Sequence, residues 1–222
     1  MKIIKLSERL KTVASYVRQG DAAADVGTDH GYIPLWLIQS GICDRVIASD
    51  INEGPLESAR QSAAAYNVCG IDFRLCDGLK GIKQEEADTV IIAGMGGDTI
   101  EKIIIEAGWD WTGKRLILQP MSKQAELIYR LYGNGFVITG ESFAYEKNDI
   151  YRVIQAEYKP AEAIEVPRKA FIHGGFTYGC YAEKQRQRLL KAVEGLETAL
   201  NTDEEKLKEY REILEDMENA FR

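Results

Sequence analysis

Between residues 22 and 135 short apolar runs alternate with stretches of helical period, and this alternation limits the fold more than any other feature of the chain. The strand candidates are 22–26, 45–49, 71–75, 88–93 and 115–119, and the helix candidates between them are 33–40, 55–67, 98–107 and 122–134. Strands separated by helices at this rhythm predict βαβ units, hence a mostly parallel sheet covered on both faces. Right-handed crossovers then make it doubly wound. After Gly135 the pattern changes: "FVITGESFAYEKNDIYRVIQAEY" holds two β-rich halves around the polar turn "EKND", which predicts an antiparallel hairpin closing one sheet edge.

At 222 residues the chain accommodates one sizeable domain, of roughly 100–200 residues, plus an accessory element, and its 45% apolar content supports a core. The expected division is residues 1–160 as the α/β domain, 161–180 as a Pro- and Gly-containing connector, and 181–222 as a helical hairpin. In the last segment Leu189, Val193, Leu196 and Leu200, then Leu207, Tyr210, Leu214, Met217 and Phe221, form two apolar heptad seams broken at "NTDEE", where Thr202 and Glu205 have capping-box spacing. An antiparallel helical (coiled-coil) hairpin and a dimer seam both fit this pattern. At the other end Leu6, Leu10, Val13 and Val17 share one helical face, with Ser7 as a candidate cap.

A net charge of −7 argues against coating nucleic acid by bulk charge, although local basic faces remain. Cys43, Cys69, Cys76 and Cys180 form no CxxC pair, and with two histidines no zinc-ligand spacing is assembled, so neither a metal nor a disulfide framework is expected. No stretch of 18 apolar residues occurs and the first twenty residues lack the apolar run of a signal peptide. A soluble, cytoplasmic protein with no membrane contact is the expectation, and no protein partner is predicted.

Ligands of a doubly wound sheet bind outside the carboxyl ends of its strands. After the first strand stands "DVGTDHGY", a turn with Gly27 and Gly31 that lacks the GxGxxG spacing of a pyrophosphate cradle. Asp25, ahead of Gly27, would repel a pyrophosphate, whereas it attracts a cofactor carrying an amino group and a sulfonium, which favours S-adenosylmethionine over NAD. After the second strand comes "ASDIN", where Asp50, 25 positions beyond Asp25, is placed to accept from ribose hydroxyls, flanked by Ile51 and Asn52. After the third comes "CDGL", with Asp77 as an acceptor for an adenine amino group and Gly78 keeping the wall close. The bland alternative is that these are turn and cap aspartates. After the fourth strand, Ala93, Gly94 and Met95 would wall the cofactor, while Gly96 and Gly97 leave room for a flat base.

Together "DVGTDHGYIP", "ASDINEGPLESA", "IIAGMGGDTI" and "RLILQPM" resemble the bacterial tRNA (adenine(22)-N1)-methyltransferases, the TrmK family, over about residues 6–158. The resemblance implies a Rossmann-like class I methyltransferase domain with a seven-stranded sheet, S-adenosylmethionine as donor and an adenine in the D-arm of tRNA as acceptor. Asp29 is then the candidate to stabilise charge building on the base, His30 either contacts the adenine or orients the loop, and Gln119 with Pro120 would line the base pocket. Tyr145 and Tyr151 flank the hairpin turn, to stack on a base or to pack in the core. For RNA phosphates the candidates are Arg9 in the basic N-terminal segment and Lys184, Arg186 and Arg188 at the start of the C-terminal hairpin, against the plainer reading of a solvated helix face.

Overall fold

The computed structural model describes residues 3–147, 149–161, 179–199 and 203–220. A short helix α1 (Glu8–Ala14) leads into β1 (Ala23–Val26), α2 (Tyr32–Gln39), β2 (Val46–Asp50), α3 (Glu53–Tyr66), β3 (Ile71–Leu75), β4 (Thr89–Gly96), α4 (Gly97–Glu106), β5 (Arg115–Ser122) and α5 (Gln124–Gly133). The hairpin strands β6 (Phe136–Glu146) and β7 (Asp149–Tyr158) follow, and then α6 (Gly179–Glu197) and α7 (Glu204–Ala220). One seven-stranded sheet has the order β3-β2-β1-β4-β5-β7-β6. Its first five strands pair in parallel, and β7 enters antiparallel between β5 and β6. The reversal of strand order between β1 and β4 is the switch point where a ligand cleft opens.

The central strands are continuous apolar runs because both faces of the sheet are covered. Val90, Ile91 and Ile92 of β4, and Leu116, Ile117 and Leu118 of β5, are all fully buried. Alternation then sorts them: Val90, Ile92, Leu116 and Leu118 join a cluster with Ile100 and Ile104 of α4 and Leu127 and Leu131 of α5. Ile91 and Ile117 face Val13, Ile33 and Leu37 on the other side. Ser7 caps α1, its hydroxyl accepting from the Leu10 amide at 3.4 Å, but the helix is shorter than its apolar pattern and ends at Ala14.

Two strands run further than their apolar cores. β4 continues through the glycine-rich turn to Gly96 with register shifts around Met95, and β5 continues to Ser122, so Met95 pairs with Pro120 and Gly96 with Ser122. Added ladder bonds hold the ends of these strands, where the sequence alone reads a turn.

The C-terminal helices form an antiparallel-type pair whose seam is used within the chain. Leu189, Tyr210, Leu214 and Met217 are buried in the same cluster as the sheet and α5. Arg130 of α5 bonds Glu101 at 2.8 Å and Asp98 at 3.1 Å, and its Nε lies 3.3 Å from Glu209 of α7, so charge as well as apolar area fixes the hairpin to the sheet layer. The cap of α7 is Asp203, whose carboxylate accepts from the Lys206 amide at 3.1 Å. Thr202, Leu200, Phe221 and connector residues 162–178 lie outside the described residues. Among the described residues no helix is long and apolar enough to cross a membrane.

Candidate functional site

A cleft of about 180 Å³ opens at the switch point, lined by Gly27, Asp50, Ile51, Asp77, Gly78, Leu79, Met95, Thr99, Lys102 and Ile103 among others. The acids at the second and third strand ends, Asp50 and Asp77, line this one cleft. Asp25 sits beneath the floor of this cleft: its strand is hydrogen-bonded on both sides, opposite Ala48 and Ile91, and its side chain is buried. Burial raises its pKa to about 6, a contact with Thr28 opposes the rise, and the nearby Asp50 carboxylate adds to it. A buried carboxylate held in this state favours any ligand that brings a positive charge.

The glycines of the cleft are required by space and by backbone. Gly27 has φ +77°, and a Cβ there would stand 2.0 Å from the Met95 methyl, so Met95 lies directly across the turn. Gly78 has φ +58° and would meet Ile103 at 3.1 Å. Ile51, Leu79 and Ile103 make an apolar slot suited to a flat ring, while Asp50 accepts from the Asn52 amide at 2.8 Å and so also closes its own turn. Asp77 is engaged at the rim through one oxygen, Oδ2, by Lys80 at 2.5 Å, and this bond holds its pKa below the usual carboxylate range. Lys80 in turn reaches Glu106 of α4 at 3.1 Å. A slot for a flat ring, acids at its rim and a buried acid near its inner end fit S-adenosylmethionine by shape and charge.

The acceptor side is built differently from expectation. Gln119 is wholly buried, and Arg9 of α1 covers it, donating from Nη1 to the Gln119 carbonyl oxygen at 2.7 Å. The Arg9 guanidinium also lies 5.5 Å from the centre of the Tyr151 ring, and Nη1 is 3.6 Å from where a Cβ on Gly94 would stand. Gln119 donates to the Pro120 carbonyl at 3.2 Å, and Pro120 is itself buried. These two residues thus support the pocket from below, and Arg9 is the group that faces outward. At Gly96 and Gly97 the missing side chain serves packing: a Cβ on Gly97 would stand 2.5 Å from the Lys123 carbonyl, and one on Gly96 3.2 Å from Ser122 Oγ, so both allow the close approach of α4 to the end of β5.

Asp29 and His30 do project from the turn into solvent. The Asp29 side chain is 83% exposed, and His30 Nε2 lies 3.6 Å from its carboxylate. The His30 ring stacks on Tyr32 at 5.3 Å, so its described contacts are with side chains of its own loop. Gly31 has φ +67°, and a Cβ there would stand 3.0 Å from the Ala59 side chain of α3, so the loop passes close over that helix.

A methyltransferase-domain family model matches residues 6–154. The tRNA (adenine(22)-N(1))-methyltransferase of Bacillus subtilis is 40% identical over 160 residues, which are 71% of this chain and 67% of that relative. The chain belongs to this methyltransferase family. The crystal structure of the B. subtilis M1A22 tRNA methyltransferase TrmK superposes with a TM-score of 0.81 at 31% identity, covering 98% of this chain and 99% of that one. The M. capricolum TrmK, in complex with S-adenosyl-homocysteine, gives a TM-score of 0.73 at 26% identity, with 96% of each chain covered.

Within this TrmK family member the C-terminal basic residues are largely engaged. Arg188 makes a two-pronged pair with the Glu126 carboxylate, at 3.0 and 2.8 Å, and Glu126 is fully buried on α5. Its charge is paired in fixing α6 to α5. Arg186 lies 3.6 Å from both Glu183 and Glu218, and Lys184 is exposed beside it. Sequence reasoning confined to strand ends missed Thr99, Lys102 and Ile103, which reach the cleft from α4. Thr99 and Ile103 are four apart, and Lys102 is adjacent, so one helical face was the signal available.

Proposed function

We propose that the chain transfers a methyl group from S-adenosylmethionine to N1 of an adenine in the D-arm of tRNA, position 22. The observation that carries this is the 40% identity, over 160 residues, to a tRNA (adenine(22)-N(1))-methyltransferase. Bound S-adenosylmethionine supplies an electrophilic methyl group. Asp50 and Asp77 hold the nucleoside part by accepting from its hydroxyl and amino groups, with Ile51, Leu79 and Ile103 packing its ring. Asp25 supplies the negative charge for the amino-acid end. Met95, Ala93 and Gly94 wall the inner end of the cleft.

Because N1 of neutral adenine carries an in-plane lone pair, no side chain has to remove a proton before attack. The residues on the acceptor side position the unstacked base and exclude water. Asp29, exposed at the rim, stabilises the positive charge that builds on the ring. The His30–Tyr32 stack beside it offers an aromatic face to the extruded nucleotide. Exposed Lys184 contacts the RNA backbone, and the protein acts in the cytoplasm. Calorimetry with S-adenosylmethionine and with NAD tests the donor: binding of the first alone is expected, and binding of NAD alone rejects the reading.

A further inference from the structure

Among the arginines described, Arg9 stands in an unusual setting. Arg18, Arg186 and Arg188 of the basic segments each have a carboxylate within 4 Å. Arg9 forms no ion pair among the described residues; its guanidinium is half-buried against a neutral amide and an aromatic ring. A guanidinium removed from water and left without a counter-charge is costly unless an anion arrives. Its position is set from three directions. Gln119 accepts its Nη1 proton, Tyr151 lies under the plane, and Gly94 lets it approach the end of β4. The next residue, Met95, lines the cleft, and the buried acid Asp25 is on the neighbouring strand β1.

A buried acid on β1, and a guanidinium from α1 beside the end of the neighbouring β4, fit a ligand whose one end carries both charges. The amino-acid end of S-adenosylmethionine does: an ammonium and a carboxylate share one carbon. We infer that Arg9 binds the carboxylate of the cofactor's amino-acid end, held ready by Gln119 and Tyr151, while Asp25 takes the ammonium. This rests on the proposed donor and adds to it a ligand for the end of the molecule that the cleft residues do not reach. A guanidinium matches a carboxylate with two parallel N–H donors, which gives direction as well as charge. Gln119, expected to line the base pocket, becomes a positioning residue for Arg9.

The test compares two ligands by calorimetry: S-adenosylhomocysteine, which keeps the amino-acid end, and 5′-methylthioadenosine, which lacks it. Arg9→Met is expected to weaken S-adenosylhomocysteine roughly 10- to 100-fold, the range of a hydrogen bond to a charged group, and to leave 5′-methylthioadenosine unchanged. Retained binding of the second ligand shows that the variant is folded. Arg9→Lys, which keeps the charge, is expected to recover part of the loss. Gln119→Met is expected to show a smaller loss of the same selectivity. Unchanged affinity for S-adenosylhomocysteine, or an equal loss for both ligands, overturns the inference. A defect confined to tRNA binding also overturns it and moves Arg9 to an RNA phosphate. Failure of the wild-type protein to bind either ligand refutes the donor assignment instead, so the two failures are distinct.

Discussion

Replacing Asp25 by Asn should stabilise the unliganded protein and weaken cofactor binding, opposite effects from one neutralised oxygen. Burial raises the Asp25 pKa from 3.8 to about 6. Each pH unit of difference between folded and unfolded states is worth about 1.36 kcal/mol, so holding this carboxylate ionised costs the fold up to about 3 kcal/mol. The sign follows from a raised folded-state pKa: the contribution of the protonated acid is fully present below about pH 4, is lost as pH rises through about 6, and stays lost above it. Urea denaturation of wild type and Asp25→Asn from pH 4 to 8 should therefore show curves that converge at low pH. They should separate by up to about 3 kcal/mol in favour of the variant above pH 6. A cation placed beside Asp25 reverses the balance, so wild-type affinity for S-adenosylmethionine should fall as pH drops below about 6, and the variant should lose that dependence. A variant less stable than wild type at pH 8, or a stability difference independent of pH, refutes the argument that Asp25 is ionised at a cost in order to hold a cation.

Gly27→Ala forces a left-handed backbone on a residue with a Cβ, at about 1–2 kcal/mol, and pushes the Met95 methyl into the cleft. Calorimetry should show a loss of cofactor affinity larger than the stability loss alone explains. Arg188→Met strands the buried Glu126 carboxylate and should cost about 3–5 kcal/mol in urea denaturation, with Glu126→Gln in the same chain recovering most of it. Recovery is the check that the effect comes from the unpaired charge. Asp29→Ala should keep cofactor affinity and lower turnover roughly 100-fold, the scale of losing one transition-state charge contact; wild-type turnover would remove Asp29 from the mechanism.

The parts of this molecule written in local pattern were legible from sequence. The apolar runs at 90–92 and 116–118 mark wholly buried stretches of β4 and β5, and Asp50 and Asp77 meet in one cleft because a parallel sheet aligns its carboxyl ends. What escaped was long-range. Arg9 and Gln119 are 110 residues apart, and no periodicity relates a charge on α1 to an amide on β5. Glu126 looks like a surface residue of α5 until α6 is laid over it, and only then does Arg188 show itself as the partner of a buried carboxylate. Gly96 and Gly97 read only as space for a base, whereas a Cβ on Gly97 would also meet the Lys123 carbonyl and one on Gly96 the Ser122 hydroxyl. Each of these depends on which elements pack together, which single-segment patterns do not encode.

The central claim is methyl transfer to one nitrogen of one tRNA base. Its most direct test is to incubate the protein with S-adenosylmethionine and unmodified tRNA, digest the RNA and identify the methylated nucleosides by mass spectrometry, with the same tRNA carrying a replaced base at position 22 as the control. N1-methyladenosine from the adenine-containing tRNA, and its absence from the control, is the predicted result. Cofactor binding with no methylated nucleoside, or methylation that persists when position 22 is changed, contradicts it.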